Sequence, residues 1–205
     1  MDILTLATFL PLGLALNLTP GPDMMFCIAQ GMRSGPRTAA AASLGVSLGA
    51  MVHVTIAGLG LGALFARNPA LLDAIRWIGA GYLLWIAWNA LRAPAARMPD
   101  TRMASRAAFR QGLVVNLTNP KVILFVLAFI PQFVSPQGAP VFAQFIAYGL
   151  VIALGGFLVN AGLGAAAGRA GIRLQASRTA ERWVRRCAAT IFGALALRLV
   201  FAKSG

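Results

Sequence analysis

The chain is 205 residues long, 59% hydrophobic and 11% charged, with a mean hydropathy of +0.75, whereas soluble domains run at about 45–50% apolar and about 25% charged. These values exclude an ordinary soluble fold and point to a protein of the bilayer. A net charge of +13 would suit nucleic acid if the basic residues formed a patch, but they lie between apolar runs, so nucleic acid is set aside as a partner.

A membrane-crossing helix needs about 20 mostly apolar residues, and six stretches meet or approach that length. The first runs from Ile3 to Ala29. It opens on Asp2 without a basic region and continues past Pro22 without a small-residue cleavage site, so it is read as a retained span, not a secretory signal. Inside it lies Asn17-Leu18-Thr19-Pro20-Gly21-Pro22-Asp23, where prolines, an amide and a charge have no ordinary place. Ala39 to Phe65 is the second stretch, rich in small residues (Gly45, Gly49, Gly58, Gly60, Gly62) and carrying His53. His53 is either a proton relay or a hydrogen-bonded histidine of no further role.

Ala70 to Leu91 is the third stretch, and a connection over about 93–108 leads to the second half. Phe109 to Val134 carries Asn116-Leu117-Thr118-Asn119-Pro120-Lys121. Val141 to Ala167 again concentrates small residues, among them Gly149, Gly155, Gly156, Gly162 and Gly164, and holds Asn160. Such residues let helices approach closely in lipid. Val184 to Phe201 is the weakest span, trimmed by Arg185, Arg186 and Arg198, whose stems can snorkel to the interface. Cys27 and Cys187 have no partner motif and read as packing thiols, neither a disulfide framework nor a zinc site.

The connections alternate in charge. The first, third and fifth hold Arg33 and Arg37; Arg92, Arg97, Arg102, Arg106 and Arg110; and Arg169, Arg173, Arg178, Arg182, Arg185 and Arg186, while the other side holds Arg67, Arg76, Arg198 and Lys203. By the positive-inside rule the odd connections are cytoplasmic and both termini lie outside, in a bacterial-type inner membrane.

Four short matches recur in order: Asn17-Leu18-Thr19 with Asn116-Leu117-Thr118, Ala57-Gly58-Leu59-Gly60 with Ala161-Gly162-Leu163-Gly164, Arg76-Trp77 with Arg182-Trp183, and Ala90-Leu91-Arg92 with Ala196-Leu197-Arg198. They imply two three-helix repeats, about 1–92 and about 109–205. Because three is odd, the second repeat enters the membrane inverted. The expected fold is an all-α integral membrane protein, one domain over 1–205, of six transmembrane helices with the first and fourth broken.

The breaks follow from proline chemistry. Pro20, Pro22 and Pro120 lack an N–H and would leave the carbonyls of Leu16, Leu18 and Asn116 unpartnered in a continuous helix. In hydrocarbon that is costly, so the breaks must face protein or a watery cavity. Gly21-Pro22 and Asn119-Pro120 also resemble helix starts, with a capping residue followed by proline at the first helical position. Two half-helix N-termini would then favour a carboxylate. Asp23 and Lys121, one residue into each new turn, should face a cavity or each other, since charge at the bilayer centre costs about 2.5–3.5 kcal/mol. Inverted halves bring them together near the midplane. An acid and a base at one cavity suit a ligand with an ammonium and a carboxylate; a purely structural ion bridge is the competing reading. Asn17, Asn116 and Asn160 are candidates for the same cavity.

At these residues the sequence resembles the lysine exporter (LysE/RhtB) family of amino-acid efflux transporters. Pro20-Gly21-Pro22-Asp23, Gly31-Met32-Arg33-Ser34-Gly35, Gly79-Ala80-Gly81-Tyr82-Leu83, Ala90-Leu91-Arg92 and Asn116-Leu117-Thr118-Asn119-Pro120-Lys121 carry the resemblance, which covers essentially the whole chain. It implies a six-span exporter of amino acids or small derivatives, working against protons, with Asp23 and Lys121 central. Thr19, Thr118 and the break residues Pro20, Gly21, Pro22, Asn119 and Pro120 complete the candidate site.

No nucleotide-binding motif G-x-x-x-x-G-K-[ST] occurs, so an ion gradient is the expected energy source, and no cofactor is called for. A membrane-embedded enzyme would need a nucleophile with its base or a metal set, which one histidine and five acids spread along the chain do not supply. A passive channel or a non-transporting structural subunit shares the six-span architecture and stands as the alternative to a secondary carrier using alternating access. A bundle this compact is also compatible with a homodimer.

Overall fold

The computed structural model describes residues 3–65, 102–135 and 137–170, with single positions at 77, 81, 84, 85, 88, 186, 190 and 193. The expected spans Ala70–Leu91 and Val184–Phe201, Cys187 and most of the arginine-rich connections lie outside the described residues. Those that are described contain helices and no strand. They form α1 (Ile3–Leu18), α2 (Pro22–Ser34), α3 (Pro36–Phe65), α4 (Ser105–Leu117), α5 (Pro120–Ala128), a 3-10 turn (Ile130–Phe133) and α6 (Val141–Ala170).

The helix boundaries follow from local chemistry. A residue that precedes proline is pushed out of the α region by the proline ring. Thr19 precedes Pro20 and Gly21 precedes Pro22; α1 ends at Leu18, Gly21 is extended (φ −162°, ψ −179°), and α2 starts with Pro22 in its first turn. Asn119, before Pro120, is likewise extended (φ −81°, ψ 105°). Its side chain accepts a hydrogen bond from the Lys121 N–H at 3.0 Å, the usual way of satisfying a free donor at a helix start. The axes of α4 and of the segment Pro120–Phe133 are bent by 53°. Gly35 has φ +90° and returns its N–H to the Gly31 carbonyl. This glycine turn lets α3 follow α2 directly.

Among the described residues, two helices are long and apolar enough to cross a bilayer by themselves, within Pro36–Gly60 (mean hydropathy 1.6) and Val141–Arg169 (2.0). Each belongs to a 30-residue helix, about 45 Å of rise, which exceeds a hydrocarbon core of about 30 Å. These two helices pack side by side and form the centre of the described bundle, with α4 against α3, α1 against α6, and α2 against both. Outward-facing Leu44, Leu48, Ile56 and Leu59 on α3 and Leu150, Leu154 and Leu158 on α6 are exposed, an apolar surface suited to lipid.

Close helix approach depends on particular glycines. A Cβ on Gly31 would overlap the Gly164 carbonyl of α6, and one on Gly45 or Gly112 would overlap the Phe109 or Ala42 carbonyl across the α3–α4 contact. Gly60 and Gly162 are different: nothing lies within 4 Å of a Cβ placed there. The expectation of tight packing holds for part of each glycine set and not for these two, which face no described neighbour.

Two cores result. One is aromatic: Phe9, Phe125, Phe129, Phe133, Phe145 and Tyr148 are buried together, with the Phe9 ring 4.6 Å from Tyr148 and 5.2 Å from Phe133. Tyr148 donates its hydroxyl to the Phe133 carbonyl at 2.9 Å, so burial leaves no polar cost on the phenol. The other joins Phe26, Cys27, Ala42, Val46 and Ala108. Cys27 is fully buried there as a free thiol.

Candidate functional site

Between α1 and α2 the backbone carbonyls that lose their helical donors find a cation. Lys121, from the second position of α5, donates its Nζ to the carbonyls of Leu16 (3.2 Å) and Thr19 (3.0 Å). Leu16 is the residue four before Pro20, so its carbonyl is one that the missing proline N–H leaves free. The approach is close enough that a Cβ on Gly21 would lie 3.2 Å from Nζ. Glycine at this position gives the ammonium its room.

The second break is closed from the opposite direction. Asn116, four before Pro120, has its carbonyl 3.2 Å from His53 Nε2 on α3, and the Asn119 N–H donates to the same oxygen at 2.9 Å. In this arrangement Nε2 is the protonated nitrogen of His53, since the carbonyl only accepts. The Asn116 side chain, fully buried, donates from Nδ2 to Asp23 Oδ2 at 2.9 Å. Each break is therefore held by side chains that lie far away in the chain.

Asp23 and Lys121 line one cavity, together with Asn17, Asn116, Asn160 and Ser47 and with apolar atoms of Leu16, Met24, Val46, Val122 and Ile152. The volume is about 20 Å³, room for a water but not for an amino acid. Three oxygens of its lining residues, Asp23 Oδ1, Asn116 Oδ1 and Asn160 Oδ1, are buried without a hydrogen-bond partner among the described residues. The two charges do not bond to each other in this arrangement: Asp23 is held by Asn116, and Lys121 by the α1 end.

Comparison with known proteins supplies the family. The family described as LysE type translocator matches residues 14–203, nearly the whole chain. The chain belongs to the LysE type translocator family. Similar curated proteins include a homoserine/homoserine lactone efflux protein of Salmonella typhi, 34% identical over 72% of each chain. A leucine efflux protein of Enterobacter sp. is 30% identical over 69% of each. A Vibrio cholerae membrane protein of uncharacterised function is 36% identical over 66% of this chain and 68% of its own. No solved structure matches.

In this LysE-family chain, five of the residues singled out from the sequence meet at the cavity: Asn17, Asp23, Asn116, Lys121 and Asn160. Asn17 donates to the Ile152 carbonyl at 3.1 Å and sits against Gly155 and Gly156, where a side chain would collide with it. Thr19, Pro20, Gly21, Pro22, Asn119 and Pro120 build the breaks and do not line the cavity. Thr118 is exposed and donates back to the Val114 carbonyl at 2.9 Å. His53 is also absent from the lining.

Sequence reasoning passed over Ser47. It lies four residues after Ser43, and the two hydroxyls donate to the Ala153 (2.9 Å) and Phe157 (3.0 Å) carbonyls of α6. A polar pair at i, i+4 in an apolar helix marks one face, and that signal was available. Among the described residues, no group of three His, Cys, Asp or Glu could hold a metal ion.

Proposed function

We propose that this chain is a secondary active exporter of amino acids or small amino-acid derivatives across the inner membrane, driven by protons and working by alternating access around the Asp23–Lys121 cavity. The observation that carries the reading is that an acid and a base from two separated break motifs share one buried cavity. A zwitterion complements that pair, and the curated relatives named for homoserine and leucine efflux support the substrate class.

Alternating access rests on the paired design. α1–α2 and α4–α5 are each two short helices meeting at a proline break, and each pair is followed by a long helix, α3 or α6. This order agrees with two inverted three-helix repeats, each opening with a broken span. Cross-bonds between the breaks would then hold one arrangement and exchange in the other.

Asp23 is the coupling group of this reading, because Oδ1 is buried and has no hydrogen-bond partner among the described residues. The test is exchange in proteoliposomes. Preloaded L-homoserine or L-leucine should drive accumulation of the labelled amino acid, which a passive pore cannot do. Asp23→Asn should abolish proton-driven efflux while the protein still folds; undiminished proton-driven efflux in that variant would remove Asp23 from the coupling role.

A further inference from the structure

Among the described residues, the buried atoms of the cavity's lining residues that have no hydrogen-bond partner are all acceptors. Asp23 (6% exposed), Asn116 (0%) and Asn160 (5%) each keep a buried acceptor oxygen without a partner among the described residues. Several donors nearby already have acceptors: Lys121 Nζ gives two hydrogen bonds to backbone carbonyls, Asn17 Nδ2 one to Ile152, Ser47 one to Ala153, and Asn116 Nδ2 one to Asp23. The unpartnered buried donors of the described residues belong to Gln30 and Asn119, and neither lines the cavity. Leaving one buried acceptor unsatisfied costs about 1–3 kcal/mol. Three on one cavity point to a donor-rich occupant.

We infer that Asp23, Asn116 and Asn160 form an ammonium pocket that recognises the free primary amine of the exported substrate, with Asn160 as a specificity-determining residue. The inference rests on the export reading above and adds which end of the substrate is read, and by which atoms. A primary ammonium has three N–H donors, matching the three acceptors in number. Space of about 20 Å³ is on the scale of a bare head group and small against one that carries an N-acyl or N-alkyl substituent.

Charge selects against a bare metal ion. Asp23 and Lys121 are the charged groups of the lining, and together they are neutral. A zwitterion keeps the site neutral, whereas an added cation would leave an uncompensated buried charge. By the same argument a second positive charge on the substrate side chain has no carboxylate to meet in the lining.

The test uses the full-length protein in proteoliposomes, with labelled L-homoserine and L-leucine exchange as the readout. Excess unlabelled amino acid should compete, while its N-acetyl derivative, its N-methyl derivative and the matching 2-hydroxy acid should compete at least about tenfold less well, the scale of a lost charged hydrogen bond. Asn160→Ala should narrow the preference for the amine over the 2-hydroxy acid. Asn160→Gln, which keeps the amide, provides a second variant if the alanine protein fails to fold, and it should retain the preference while weakening affinity.

Absence of any exchange overturns the transport reading itself. Exchange that proceeds with the N-acetyl and 2-hydroxy analogues competing as well as the amino acid overturns the ammonium pocket and leaves transport standing. Exchange that requires sodium and ignores amine modification assigns the oxygens to a metal cation and likewise overturns it.

Discussion

Lys121 serves the backbone as well as the cavity. Its two bonds to the Leu16 and Thr19 carbonyls satisfy oxygens that the broken helix exposes, so Lys121→Met removes a charge and orphans acceptors at once. Hydrogen bonds to charged groups contribute about 1.5–3 kcal/mol each. The variant should unfold at a clearly lower temperature in detergent, with Lys121→Arg recovering part of the loss; an unchanged melting temperature would show that these contacts are dispensable. His53 presents the parallel case on the other break. If its task is to donate to the Asn116 carbonyl, His53→Gln keeps a donor without a titrating ring and should keep proton-driven efflux. Loss of the proton dependence with folding intact would mark a relay instead.

The helix breaks show what a proline does and does not decide. Pro11 lies inside α1 without ending it, whereas Pro20, Pro22 and Pro120 accompany true ends. The difference is the company they keep: Pro22 and Pro120 each follow a residue in extended conformation at a helix start, and the carbonyls freed nearby have tertiary donors. Pro120→Ala restores an N–H and lets the Asn116 carbonyl be satisfied within one helix. It should therefore preserve or raise thermal stability while depressing transport, as the 53° bend straightens. Stability and transport falling together would argue against a bend kept for function. Small residues sort in the same manner. Gly31→Ala meets the Gly164 carbonyl and should cost about 1–3 kcal/mol through backbone displacement, whereas Gly60→Ala, with nothing within 4 Å, should leave thermal unfolding unchanged.

At the scale of the whole molecule, the halves are tied by reciprocal contacts: α5 reaches back to the end of α1, and α4 is held by α2 and α3. Partners separated by 93 and 105 positions make the site a product of the assembled bundle, one that neither half contains alone. Orientation is open to a direct test. In a background with Cys27 and Cys187 replaced by serine, Gln137→Cys should react with a membrane-impermeant maleimide added outside, and Arg37→Cys only after permeabilisation. The reverse pattern would invert the arrangement read from the arginines.

Composition alone determined that the chain belongs in a bilayer, because apolar content on this scale cannot be buried in a soluble fold. Proline and capping chemistry alone pointed to helix starts at Pro22 and Pro120, since a missing N–H and a displaced preceding residue are local effects. The same motifs identified Asn17, Asp23, Asn116 and Lys121 as site candidates, and Asn160 stood out as an amide inside an apolar span. Only the tertiary structure decided how they are used. It gave Lys121 to the carbonyls of the first break, His53 to the second, and Asn116 to Asp23, and it left three acceptor oxygens without a partner among the described residues. A side chain's hydrogen-bond partner depends on which distant backbone passes within about 3 Å, and no local pattern carries that distance.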